Sequence, residues 1–282
     1  MATTSIEWTD AVWNPLTGCT RVTDGCSNCY AFALHDMRHA ISLKNNGRWS
    51  ADGPTMPKQY ALPFSMVQLL PERLEQPLHI KTPKKIFVNS MGDLFHSEVP
   101  DEYILQVFEV MRRAHWHTFQ ILTKRVGRLR RLTPVLPWSP NMCIGVSIEN
   151  DSLTPRADIL RPIPLATHML SCEPLLSALP SLDLTGIDWV IVGGESGPNA
   201  RHCDPTWVRD LRDRCVDAGV AFFFKQWGGR TPKAGGRELD GREWSHFPVP
   251  QQALTRDEMR YGSRTHSIVS DGNSTRDAGG DA

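Results

Sequence analysis

At 282 residues with 40% hydrophobic content, the chain is long enough for one large domain or two small ones around a sizeable core. Its 31 basic and 31 acidic residues cancel, which removes any global electrostatic drive toward nucleic acid or a membrane surface and leaves only local patches. The sequence has no apolar run of about 18 residues, and its N-terminus MATTSIEWTD has neither a basic segment nor an apolar stretch, so the expectation is a soluble, cytoplasmic protein with no membrane partner.

Residues 5–13 (SIEWTDAVW) alternate well enough to form a short strand. The stretch WNPLTGCTRVTDGCSNCY follows and holds Cys19, Cys26 and Cys29 in a C-x6-C-x2-C cluster, three of the seven cysteines. Pro15, Gly18 and Gly25 punctuate this loop, and the apolar residues after Cys29 begin a helix expected over about 27–44. Cys26 and Cys29 thus lie near a helix N-terminus, where unpaired backbone N–H groups favour thiolate and the spacing puts both sulfurs on one face. An odd number of cysteines with three clustered suits metal binding in a reducing compartment better than a disulfide framework. Three ligands imply a distant fourth, for which Cys203 and Cys215 are the candidates, or a metal left open for chemistry. The remaining reading is three unrelated buried thiols. Cys143 and Cys172, inside apolar runs, read as core residues.

Residues 45–84 carry eight Gly or Pro and read as an irregular excursion with at most one short helix around 71–74. From Lys85 the pattern becomes regular, with strand-like runs at 86–89 (IFVN), 119–122 (FQIL), 143–148 (CIGVSI), 168–172 (HMLSC), 189–192 (WVIV) and 221–224 (AFFF). The clearest helices are expected over 102–113 and 205–218. With the N-terminal strand this gives six or seven parallel strands in an α/β fold, hence a full or partial (β/α) TIM-type barrel over residues 1–250, with an open doubly wound sheet as the alternative. Residues 251–282 lack apolar periodicity and read as a disordered C-terminal tail.

Each barrel strand is followed by residues poorly suited to a core: Asn89-Ser90-Met91-Gly92-Asp93, Thr123-Lys124-Arg125, Ser147-Ile148-Glu149-Asn150, Cys172-Glu173-Pro174, Gly193-Gly194-Glu195-Ser196-Gly197 and Lys225-Gln226-Trp227. Parallel strand ends share one rim, and six of them pointing polar groups at one mouth beside the cysteine loop is the strongest argument from the residues for an enzyme. Gly193–Gly197 reads either as a strand-ending turn or as backbone that a ligand approaches closely. His96 reads equally as a backbone contact or as a chemical group, and Arg125, Arg128, Arg130 and Arg131 as a solvated helix face or a phosphate contact.

The strings SIEWTDAVWNPLTGC, GCSNCYA, IFVNSMGDLFH, QILTKR, GVSIEN, SCEPLL, WVIVGGESGP and FFKQWG, spanning roughly 5–248, closely resemble an uncharacterised family of bacteria and their phages. That family looks like a divergent branch of the radical S-adenosylmethionine (radical SAM) superfamily. The resemblance implies a [4Fe–4S] cluster on Cys19, Cys26 and Cys29, whose fourth iron binds S-adenosylmethionine. Here the first cysteine gap is six residues rather than the superfamily's common three, and the aromatic Tyr30 follows the last cysteine instead of preceding it. Ser90–Asp93 stands where the superfamily has Gly-Gly-Glu, which puts Asp93 in the amine-binding role. Ser147, Glu149 and Glu173 are implied at the ribose or carboxylate end of the cofactor, and Gly193, Gly194 and Glu195 at its adenosyl end. The implied reaction is reductive cleavage of S-adenosylmethionine followed by hydrogen abstraction by a 5′-deoxyadenosyl radical. An electron donor such as flavodoxin or ferredoxin is implied with it, and the phage association points to a nucleic-acid base or nucleotide as substrate. Two rival readings stay open. Asp93, Glu149, Glu173 and Glu195 would bind a divalent metal for phosphoester hydrolysis beside structural zinc, or the chain is a non-catalytic, zinc-stabilised binding protein.

Overall fold

In a computed structural model of the chain, the structure describes residues 1–164 and 166–248, together with Ile268 and Val269. Seven strands form the main sheet: β1 (Ala11–Trp13), β2 (Lys85–Val88), β3 (Thr118–Thr123), β4 (Met142–Ser147), β5 (Thr167–Cys172), β6 (Trp189–Gly193) and β7 (Ala221–Gln226). They are parallel and lie side by side in chain order, with the two-residue stretch Ala2–Thr3 pairing antiparallel outside β1. The sheet curls without β7 meeting β1, so the architecture is a partial (β/α) barrel.

Side chains alternate across each strand, and the two faces bury different clusters. Ile86, Val88, Phe119, Ile121, Ile144, Val146, Leu170, Val190, Val192, Phe222 and Phe224 pack with Ile104, Val107, Phe108, Leu129, Leu132, Val208 and Leu211. Those partners lie on α2 (Asp101–Arg113), α3 (Val126–Leu132) and α4 (Pro205–Asp217), so this is the helix-covered convex face. The concave face is formed by Phe87, Cys143, Met169, Trp189, Ile191, Ala221 and Phe223, closed by Trp8. Trp8 meets Phe87 edge-on at 4.7 Å between centroids, and Phe247 lies 5.3 Å from Trp189 and 5.5 Å from Phe223. Burial on both faces is why these strands read as near-continuous apolar runs.

The predicted helices over 102–113 and 205–218 appear at these positions within one residue. Asp204 caps α4 by accepting from the Thr206 backbone N–H at 2.8 Å, and Pro205 occupies the first turn. Two expectations change. The strand expected over 5–13 is confined to Ala11–Trp13, because residues 4–10 turn so that Trp8 can cover the barrel floor. The helix expected from residue 27 begins at Tyr30 as α1 (Tyr30–Lys44), with Cys29 at its N-cap and a 3-10 turn over Asp24–Cys26 before it. The excursion 45–84 carries three short 3-10 turns and a two-residue strand, Gln68–Leu69, paired with Leu16–Thr17. The free edge of β7 is covered, since Phe224 N–H donates to Trp244 O at 2.9 Å and His246 N–H to Phe222 O at 3.1 Å. The expected disordered tail falls outside the described residues, except for Ile268–Val269, which pairs with Phe247–Pro248. Among the described residues no helix is long and apolar enough to cross a membrane.

Phe223, 1% exposed, joins the barrel floor to its Phe247 cover. Phe223→Ala should cost about 3–5 kcal/mol of stability in urea or guanidinium unfolding, the range for deleting a buried aromatic ring.

Candidate functional site

The cysteine loop has little regular structure to hold it, and its polar groups are met by residues at the C-terminal ends of the strands. From the end of β2, Met91 O accepts from Gly18 N–H and from the Thr17 hydroxyl, each at 3.1 Å, and Ser90 O accepts from the Tyr30 hydroxyl at 2.9 Å. Beyond β3, Arg125 donates through Nη2 to Thr20 O at 3.0 Å and to Thr20 Oγ1 at 2.8 Å. Past β4, Glu149 Oε1 accepts from the Thr23 hydroxyl at 2.9 Å. After β6, Glu195 Oε2 accepts from Asn28 Nδ2 at 2.9 Å, and Arg201 Nη2 donates to Asp24 O at 2.9 Å. Within the loop, Arg21 Nε donates to Cys26 O at 3.2 Å, and Cys26 N–H donates to Thr23 O at 2.9 Å.

The three clustered cysteines all lie in this loop. Cys19 and Cys29 pack against Ala31, Phe32 and Phe64, while the Thr23 hydroxyl lies 3.7 Å from Cys26 Sγ. Burial, aided by the charge of Asp93, pushes the Cys19 thiol up to about 11, against the pull of the nearby Arg125 guanidinium. All seven cysteines are free. Cys143 sits on the barrel floor, and Cys172, Cys203 and Cys215 belong to the convex-face core. Cys203 and Cys215, the candidate fourth ligands, are thus packed into apolar surroundings that push their thiols up to about 11 and about 12. Among the described residues no three His, Cys, Asp or Glu side chains are arranged to hold a single ion.

The rim carboxylates do not pool their charge, since each is matched to its own cation. Asp93 Oδ1 accepts from Phe95 N–H at 2.9 Å, both its oxygens accept from the Thr123 hydroxyl at 2.8 and 2.9 Å, and Oδ2 accepts from Lys124 N–H at 3.1 Å. With Arg125 Nε 3.9 Å away, that carboxylate is spent on joining the β2 and β3 ends, which leaves little capacity for the amine contact expected of it. Glu149, fully buried, pairs with Lys124 and with Arg156 Nη1 at 3.3 Å. Glu173 Oε1 accepts from Lys225 Nζ at 2.8 Å. Glu195 receives a two-pronged contact from Arg201, Nε to Oε2 at 2.9 Å and Nη2 to Oε1 at 2.6 Å, plus the Arg201 backbone N–H at 3.0 Å. Burial works to raise the Glu195 pKa, but hydrogen bonds from Arg201 and Asn28 and the Arg201 charge outweigh it and hold the carboxyl below its ordinary range.

The two glycines expected at the adenosyl end are explained by protein neighbours. A Cβ on Gly194 would lie 1.9 Å from Trp227 O, and one on Gly193 would lie 2.8 Å from Glu173 Oε1. Ser147 is the register partner of Ser171, so the two share a face, and its carbonyl accepts from Arg156 Nη1 at 2.7 Å. His96 is buried against the Thr20 hydroxyl at 2.9 Å, and burial lowers its pKa. In the basic stretch Arg128 and Arg131 pair with Asp101 at 2.5 and 2.7 Å, which leaves Arg130 exposed. A groove of about 740 Å³ lined by residues such as Arg130, Leu136, Trp138 and Pro164 shares none of these rim residues, so concavity alone does not locate the chemistry.

Asn89, which sequence reasoning passed over as a site residue, directly follows β2 with φ +75° and is 3% exposed. Neither its Oδ1 nor its Nδ2 has a hydrogen-bond partner. An amide left with both functions open in a buried place calls for a water or a ligand. The one sequence signal was an Asn, which tolerates left-handed backbone, placed at a strand end.

Asp93→Asn should destabilise the protein by about 1–3 kcal/mol in chemical denaturation, because the amide replaces one acceptor by a donor and leaves a buried hydrogen bond from Phe95, Thr123 or Lys124 unmade. The Glu195 clamp carries a sign for pH. Because its native pKa is depressed, its stabilisation is fully present above the unfolded value of about 4.3 and is lost as the pH falls through the native value. The gap in melting temperature between wild type and Glu195→Gln should therefore stay constant from neutral pH to about 5 and shrink below about 4.

No curated protein and no solved structure matches the chain. A family model matches residues 3–248, the whole barrel with its cysteine loop, and the chain belongs to the family described as "Protein of unknown function (DUF5131)".

Proposed function

We infer that this protein is an iron–sulfur enzyme of the radical SAM type, with a [4Fe–4S] cluster on Cys19, Cys26 and Cys29 and S-adenosylmethionine as its small-molecule partner. The observation that carries the reading is a three-cysteine loop seated on the C-terminal rim of a partial barrel, with the other four cysteines packed in apolar core. A cube of four irons takes one thiolate per iron, so three cysteines leave one iron for a small molecule. The donor set fits that group. When bound, it would supply the electron for reductive cleavage of S-adenosylmethionine and so for hydrogen abstraction from a substrate.

The chain's own residues would hold the thiolates, exclude water with the apolar barrel floor and present the groups not already spent. These are the open amide of Asn89 and the hydroxyls of Ser147 and Ser171 on their shared face. The hydrolase reading draws no support from the carboxylates, because each is neutralised by its own Arg or Lys rather than left to share a divalent ion. A nucleic-acid base or nucleotide is the substrate class to test first, on the family resemblance alone, with a flavodoxin or ferredoxin as reductant. Seven free cysteines suit the reducing cytoplasm.

Anaerobically reconstituted protein should be brown and carry about four irons and as many sulfides per chain. Cys19→Ala, Cys26→Ala and Cys29→Ala should each lose the brown colour and most of the iron. Full iron retention in all three variants overturns the assignment, and a single tightly held zinc would favour the zinc-stabilised binding protein.

A further inference from the structure

We propose that Glu149 and Glu195 are positioning residues that seat the cysteine loop in its working shape before any metal binds. The metal role rests on the function inferred above, whereas the seating itself does not. Two separate contacts carry the proposal. Glu195 and Arg201 together grip the loop at two points, since Glu195 accepts from the Asn28 side chain between Cys26 and Cys29, while Arg201 donates to Asp24 O two residues before Cys26. On the other side, Glu149 holds the Thr23 hydroxyl and lies directly under Gly25.

Gly25 shows how close that seat is. A Cβ there would lie 2.5 Å from Glu149 Cγ and 2.6 Å from its Oε1. The Glu149 side chain cannot swing clear cheaply, because it is fully buried and held by Lys124, Arg156 and Thr23. Gly25 sits in the 3-10 turn Asp24–Cys26 and is not among the residues with positive φ, so alanine suits its backbone and only the approach to Glu149 demands glycine. Many small metal sites fold as the metal arrives; this loop is instead tied to the rim by charged groups from two strand ends, β4 and β6, that flank β5.

Hydrogen exchange of the metal-free full chain reads the seating directly, and iron content with the electron-spin spectrum after reconstitution reads its consequence. In Gly25→Ala and in Glu195→Gln, amides over 23–29 should exchange about tenfold faster or more while barrel-strand amides keep their protection. The reconstituted variants should hold less than about half the wild-type iron and give a broadened, heterogeneous cluster signal, which simple loss of overall stability would not produce. Thr23→Val removes the hydroxyl from which Glu149 Oε1 accepts while leaving Glu149 with Lys124 and Arg156, so it too should speed exchange over 23–29 and lower iron uptake without loosening the strands. Unchanged loop exchange in Gly25→Ala and Thr23→Val, or in Glu195→Gln, overturns the proposal. Should Glu195→Gln unfold globally, Gly25→Ala and Thr23→Val decide the matter by themselves. If wild-type protein takes up no iron and the exchange results still hold, the inferred function fails and the seating stands.

Discussion

The structure turns on how an irregular, polar loop is held against a barrel. A stretch of 18 residues with one 3-10 turn satisfies few of its own backbone groups, so it keeps one shape only if the rest of the protein supplies partners. The rim supplies them from four strand ends: Met91 and Ser90 after β2, Arg125 after β3, Glu149 after β4, and Glu195 with Arg201 after β6. Most are charged or partly buried, which makes them stronger than contacts made in open water. Several rim groups that resemble ligands by residue type are therefore spent on holding the element that bears the thiols.

This division of labour depends on the barrel beneath. Trp8, Phe87, Met169, Trp189, Ile191 and Phe223 fill the concave face, so the sheet needs no second layer to complete its inner side. The floor is largely apolar and the rim is charged: β5 leads from Met169 on the floor to Glu173 just past its end, and β7 runs from Phe223 to Lys225. An apolar floor lowers the local dielectric beneath the charged groups, which strengthens their pairing and raises the cost of leaving any one unpaired. The near-complete matching of Asp93, Glu149, Glu173 and Glu195 to cations follows from that cost, and against it the open amide of Asn89 stands out.

Sequence reasoning read the larger features correctly where the signal was local. Apolar runs of four to six residues at βα spacing placed β2 to β7, and the helix expected over 205–218 is α4 to within one residue. It was less successful where one residue serves two elements. Trp8 alternates as a strand residue would, yet it turns inward to cap the floor, and Cys29 looks like the first helical turn but stands at its N-cap.

What the sequence determined by itself was the inventory: three clustered thiols, six polar strand ends and enough buried strand to make a parallel sheet. Which of the polar groups hold the loop and which stay open was decided by the tertiary structure. Thr23 meets Glu149 across 126 residues of sequence and Asn28 meets Glu195 across 167, and no propensity or period reaches that far. A carboxylate at a strand end is the same signal whether it binds a cofactor or an arginine, and only curling the strands into one rim determines which cation comes within reach of it.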